Sequence, residues 1–153
     1  NPDITWHFIG PIQTNKTKLI ASHFSWVHSI DRIKVAKRLN EHRSNQDTPL
    51  NICLQVNISG EISKSGVLPH ELPALLEFIE TCEHLCLRGL MAIPEKNASQ
   101  ASFMQMQQLF LTLKVQYPTM DTLSMGMSGD LQLAINAGST LVRIGSAIFG
   151  ARG

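Results

Sequence analysis

Six runs of strand length, each followed by helical periodicity or a helix-opening turn, decide what this chain can fold into. Residues 5–10 read as a first strand, and Asn15 as the cap of a helix reaching Phe24 with Leu19, Ile20 and His23 on neighbouring positions. Residues 26–30 form a second strand. Asp31 opens a helix in which Ile33, Ala36 and Leu39 face inward and Arg32, Lys34, Lys37 and Arg38 face water; residues 43–49 are a polar loop. The clearest strand is 51–59, with Ile52, Leu54, Val56 and Ile58 on one face and Asn51, Cys53, Gln55 and Asn57 on the other. A small-residue loop, 59–66, leads to a helix starting near Pro69, with Leu72, Leu75, Leu76 and Ile79 at helical spacing. A strand at 85–93 ends before Pro94, and a helix over 98–116 carries Phe103, Met106, Phe110 and Leu113. A strand at 122–127, a short helix at 129–137 closed by Gly138, a strand at 140–144 and a helical turn at 146–149 complete the pattern.

Strict alternation of this kind predicts an α/β fold with a parallel sheet flanked by helices. A barrel and an open doubly wound sheet both satisfy it. Polar parity favours the barrel: Gln55 and Asn57 share one strand face, as do Arg143 and Gly145, and Ser124, Gly126 and Ser128. In an open sheet both faces meet helices and such runs are costly, whereas in a barrel the second face lines the interior and its mouth. A complete (β/α)8, or TIM, barrel takes about 250 residues. The 153 residues here supply about six of eight units, read as a single domain over 1–153. The opening Asn1-Pro2-Asp3-Ile4 has no initiator methionine, which is expected of a piece of something longer.

Composition narrows the partners. With 13 basic and 12 acidic residues spread along the chain, and a net charge of +1, the field of a nucleic-acid binder is not expected. No apolar run approaches the roughly 20 residues of a membrane span. Cys53, Cys82 and Cys86 lack zinc-site spacing and read as ordinary thiols, so no metal is expected and the cytoplasm is the expected compartment.

The most chemical stretch is Met125-Gly126-Met127-Ser128-Gly129-Asp130, repeated in kind by Val142-Arg143-Ile144-Gly145-Ser146. Each is a strand end running into small residues and a helix start. Side by side, they aim backbone N–H groups, helix dipoles and a serine hydroxyl at one anion, most simply a phosphate. Either turn alone is an ordinary serine-capped βα connection. Two of them as the last two strands match where such barrels hold phosphates. Asp130 works mildly against a neighbouring anion. Arg143, flanked by apolar residues, is either a ligand contact or half of a structural ion pair, and the sequence does not separate the two. His7 and His28 are expected as strand packing residues, and Lys64 as a solvated loop residue and not a buried nucleophile.

The chain resembles the pyridoxal phosphate homeostasis proteins, the YggS/PROSC family, along its whole length. The likeness runs through Trp6-His7-Phe8-Ile9-Gly10-Pro11-Ile12-Gln13-Thr14-Asn15-Lys16, His28-Ser29-Ile30-Asp31, Val56-Asn57-Ile58 with Lys64-Ser65-Gly66, and Arg88-Gly89-Leu90-Met91-Ala92-Ile93-Pro94. It closes with residues 123–130 and 142–150. The resemblance implies a partial barrel of the alanine racemase N-terminal-domain type that binds pyridoxal 5'-phosphate (PLP), with Met127, Ser128, Gly145 and Ser146 holding its phosphate. Arg143 is then set at the phosphate or the ring nitrogen; beside the nitrogen, its charge disfavours ring protonation and suits a carrier better than a catalyst. The family's covalent anchor, a lysine on the first barrel strand, has no counterpart among Lys16, Lys18, Lys34, Lys37, Lys64, Lys96 and Lys114, so the chain reads as strands three to eight. The implied role is intracellular buffering or delivery of PLP, with PLP-dependent apo-enzymes as partners and self-association through unpaired barrel edges. The alternative is a PLP-dependent, racemase-like enzyme, which needs a second acid/base group; the only tyrosine, Tyr117, is expected far from the mouth.

Overall fold

The computed structural model describes residues 6–57, 66–92, 100–127 and 141–143, with the backbone alone at 100–103, 125–127 and 141–143. Strands β1 (His7–Phe8), β2 (Trp26–Ile30), β3 (Leu50–Gln55), β4 (Leu85–Met91), β5 (Thr122–Met127) and β6 (Leu141–Arg143) form one sheet in sequential order. Every pairing is parallel. Helices α1 (Thr17–His23), α2 (Ile33–Arg43), α3 (Leu72–Glu80) and α4 (Gln100–Gln116) fill the connections. The short helices expected at 129–137 and 146–149 lie outside the described residues, as does Lys64.

The apolar face of the sheet, including Val27, Ile52, Leu54, Leu90 and Leu123, packs on the inward stripes of the helices, such as Leu39 and Leu76. Each fully buried leucine in this layer contributes roughly 1.5–3 kcal/mol. Leu72, Leu75, Leu76 and Ile79 are all buried, as their spacing predicts, and Pro69 lies in a 3-10 turn that opens α3.

The sheet is strongly curled. Two strands separate β2 from β5, which in a flat sheet places them about 14 Å apart. Yet His28 of β2 and Ser124 of β5 meet at 2.9 Å. Neither side chain is long enough to bridge a flat sheet, so the polar face must be concave. Register shifts in the β2–β3, β3–β4 and β5–β6 ladders supply the bend, because an extra residue in one strand coils the pair. In β4 that residue is Arg88: Ile52 pairs with Leu87, and Cys53 already with Gly89.

Local signals misplace four features. Asn15 does not cap α1; it lies within a 3-10 turn, Thr14–Lys16, and Lys16 holds the cap position without a side-chain bond. Asp31 stands before α2, whose cap is Arg32, and its carboxylate accepts the Gly66 N–H at 3.1 Å instead of serving its own helix. Ile33 is exposed, the inward face being Val35, Ala36, Leu39 and Arg43. Arg43, expected in a polar loop, is buried at the end of α2. Its guanidinium donates to the carbonyls of Ala21 and Phe24 at 2.7 Å each and of Thr48 at 3.0 Å.

Candidate functional site at the carboxyl rim of the sheet

Because all six strands are parallel, their carboxyl ends share one rim. Met127 ends β5, Arg143 ends β6, and the two are Cα partners. Adjacent strands lie about 4.8 Å apart, so the segments leaving these two residues start side by side. Ser128, Gly145 and Ser146 lie outside the described residues.

Below the rim the concave face is polar. Gln55 and Asn57 are buried at the end of β3, and Ser124 lies three residues before Met127. Ser124 Oγ meets His28 Nδ1, and His28 Nε2 meets His7 Nδ1 at 2.8 Å, so a hydrogen-bonded chain crosses the interior from β5 to β1. His7 also stacks on Trp26, ring centroids 5.1 Å apart. The sequence marked both histidines only as packing residues. Their partnership with Ser124 spans 96 residues of chain, beyond any local pattern.

This chain of groups has a pH signature. The His7–His28 bond needs one ring nitrogen without a proton, and with both rings charged two N–H groups would face each other. Burial pushes the His7 imidazole below its ordinary value of 6.5. A histidine held neutral by the fold binds fewer protons folded than unfolded, so its contribution is complete above about pH 6.5 and is lost as pH falls below that. Thermal unfolding between pH 8 and 5 is expected to show a falling midpoint below 6.5, with a shallower fall in His7→Gln. An equal slope in the variant would remove this pair as the cause.

At the opposite, amino-terminal end, Arg88 clamps four strands. It ion-pairs with Asp121 just before β5, donates to Asn51 Oδ1 of β3 at 3.3 Å, and lies 4.7 Å over the Trp26 ring of β2. Hydrogen bonding to Arg88 holds the Asp121 carboxyl below its usual range, and the same contact raises Arg88. The two side chains are 28% and 50% exposed, which limits the pair to about 1 kcal/mol or less. Its position away from the carboxyl rim marks it as a stability feature.

Tyr117 follows α4 on the outer layer, packed against the core there, and burial together with a hydrogen bond to Glu80 raises its phenol. Cys53 and Cys82 are buried, Cys86 is partly so, and all three are free. Among the described residues no cluster of three or more His, Cys, Asp or Glu side chains is placed to hold a metal, and no helix is long and apolar enough to cross a membrane.

Residues 3–153 match the family described as alanine racemase, N-terminal domain. A curated relative from Pseudomonas aeruginosa, named pyridoxal phosphate homeostasis protein, is 57% identical over 153 residues, covering 97% of this chain and 65% of the relative. One from Vibrio cholerae with the same name is 56% identical at the same coverage. The chain thus spans just under two thirds of the length of these relatives. Among solved structures, PipY of Synechococcus elongatus superposes with a TM-score of 0.90 at 35% identity over 98% of this chain and 73% of PipY. PipY with PLP bound superposes with a TM-score of 0.88. The curled sheet is accordingly a partial (β/α)8 barrel of the alanine racemase N-terminal type.

Proposed function

Since this chain belongs to the alanine racemase N-terminal domain family, we propose that it binds PLP at the carboxyl rim and serves to buffer or deliver it, without robust turnover of its own. The observation that carries this reading is the pairing of Met127 with Arg143, which starts two small-residue segments from neighbouring strand ends. Its support from relatives is their name, pyridoxal phosphate homeostasis protein, and the PLP bound to PipY.

In this reading β1–β6 are strands three to eight of the barrel. Backbone N–H groups after Met127 and at Gly145, with the hydroxyls of Ser128 and Ser146, take the phosphate oxygens. Glycine at 129 and 145 lets the backbone come close. Arg143 balances the phosphate charge or borders the ring nitrogen. Bound PLP supplies a reactive aldehyde and an electron-withdrawing ring. The concave face contributes hydrogen-bonding groups, among them the bonded pair of His7 and His28. Tyr117, the one tyrosine of these 153 residues, packs on the outer layer and not at the rim, where the second acid/base group of a racemase would be needed. The free thiols of Cys53, Cys82 and Cys86 are in keeping with a reducing compartment, and the reading sets the protein's work in the cytoplasm. Apo-enzymes that need PLP are its partners, and copies self-associate through the edges of β1 and β6 when nothing else covers them.

Equilibrium dialysis tests the site. PLP is expected to be retained more tightly than pyridoxal, which lacks the phosphate. Ser128→Ala and Arg143→Gln are each expected to weaken PLP retention by roughly tenfold or more, the worth of a hydrogen bond to a charged group. Equal retention of PLP and pyridoxal, or unchanged PLP affinity in both variants, would overturn the phosphate site. Racemisation of amino acids at ordinary enzyme rates would overturn the carrier reading.

A further inference from the structure

Ser124 is where β5 changes partners. Among the described residues its ladder with β4 closes there: Ser124 is the partner of Met91, and its carbonyl accepts the Ala92 N–H at 3.0 Å. The ladder with β6 opens at the same residue, opposite Leu141. Met125 and Gly126 then face Val142 alone before Met127 meets Arg143. An extra residue of this kind is a bulge, which bends its strand and re-aims the side chains beside it. The path of β5 from Ser124 to the rim therefore depends on how Ser124 is held.

A further hold comes from across the interior. His28 stands in a matching irregularity of β2, where His28 and Ser29 oppose Cys53 alone, between the fully buried Val27 and Ile30. Each bulge turns a side chain inward, and His28 Nδ1 meets Ser124 Oγ at 2.9 Å with both residues fully buried. For stability alone, a well-packed apolar pair of the same shape would serve nearly as well. The polar pair adds direction, since a hydrogen bond fixes a distance and an angle and an apolar contact fixes neither.

We propose that His28 is a positioning residue for the phosphate end of the rim site: its Nδ1 fixes Ser124, and Ser124 fixes the line along which β5 brings Met127 opposite Arg143. His28 itself does not touch the ligand in this role. The proposal rests on the PLP reading above and adds to it a residue on β2, two strands away from β5. It assigns separate tasks to the two ring nitrogens, Nδ1 to the rim through Ser124 and Nε2 to His7 at 2.8 Å. A shift of the β5 end by an ångström is enough to spoil a cradle of backbone N–H groups.

Asparagine and glutamine in place of His28 separate those tasks. An asparagine amide hangs from Cγ, as Nδ1 does, and faces Ser124. A glutamine amide lies one bond further out, like Nε2, and faces His7 while filling more of the imidazole's volume. Equilibrium dialysis against PLP and against pyridoxal gives the ratio of the two affinities. His28→Gln and Ser124→Ala are each expected to lower that ratio by roughly tenfold, the worth of a hydrogen bond to a charged group. His28→Asn is expected to leave it close to the parent's, although the smaller side chain lowers the urea midpoint more than glutamine does. Ser124→Ala removes a single oxygen, so it keeps the proposal testable where a His28 exchange unfolds the chain. An unchanged ratio in His28→Gln or in Ser124→Ala, or a ratio that falls at least as far in His28→Asn as in His28→Gln, would overturn the proposal and leave the rim site standing. A parent that retains PLP and pyridoxal equally would overturn the rim site and the proposal with it.

Discussion

Gly89→Ala is expected to unfold this protein or leave it largely insoluble. A Cβ at Gly89 points into the carbonyl oxygen of Thr122, with the Thr122 carbonyl carbon and Cα close behind. All three are backbone atoms of a paired strand, so no rotamer change makes room. Relief requires β4 to separate from β5. That gives up the Gly89–Thr122 register and strains the flanking bonds from the Asp121 N–H to the Arg88 carbonyl and from the Ala92 N–H to the Ser124 carbonyl. The cost is at least about 4 kcal/mol, against the 5–15 kcal/mol that separates a typical domain from its unfolded state. Urea unfolding followed by circular dichroism measures it. Gly10→Ala is the control: there φ is +137° and nothing lies within 4 Å of the added carbon, so only backbone strain of about 1–3 kcal/mol is expected. A Gly89→Ala protein within about 1 kcal/mol of the parent would mean that β4 and β5 do not approach as described.

Arg43→Ala is expected to cost nearly as much, about 3–5 kcal/mol, although the residue reads from sequence as the start of a loop. The residue is 6% exposed, and its guanidinium ties together three segments: the end of α1 through Ala21, the entry to β2 through Phe24, and the turn before β3 through Thr48. Burial pushes its pKa down, but the surrounding carbonyl oxygens favour the charged form. Removing the side chain leaves those carbonyls without their donor and opens a cavity, and each orphaned acceptor costs about 1–3 kcal/mol. Arg43→Lys separates charge from shape. A single ammonium cannot serve Ala21, Phe24 and Thr48 at once, so it is expected to recover no more than about half of the loss. Full recovery by lysine would show that charge alone matters at this position.

Elements with a strong internal repeat were legible from sequence. The strand at 122–127 matches β5 end to end, and α3 buries the four apolar residues its spacing singles out. The concave polar face was legible too, from Gln55, Asn57 and Ser124 falling on alternate positions, all of them buried. For the proposed rim site the sequence offered two strand ends running into glycine and serine, and the structure adds that Met127 and Arg143 stand opposite each other. What local pattern missed has one cause. Asn15, Asp31, Ile33 and Arg43 were read by their neighbours in sequence, but their roles are set by groups packed against them from elsewhere. Asp31 bonds across 35 residues and Arg43 across 22.

By itself, then, the sequence determined the order and kind of the elements and the parallel sheet they imply, and it singled out the two strand ends proposed here as the phosphate site. These depend on periodicity and on the conformational preferences of single residues, both of which are local. Tertiary structure alone decided the curl that brings His28 to Ser124, the burial of Arg43 and the close approach at Gly89. Each depends on which surfaces come within a few ångströms once the strands are stacked, and that distance is a property of the assembled layers, which no stretch of chain contains.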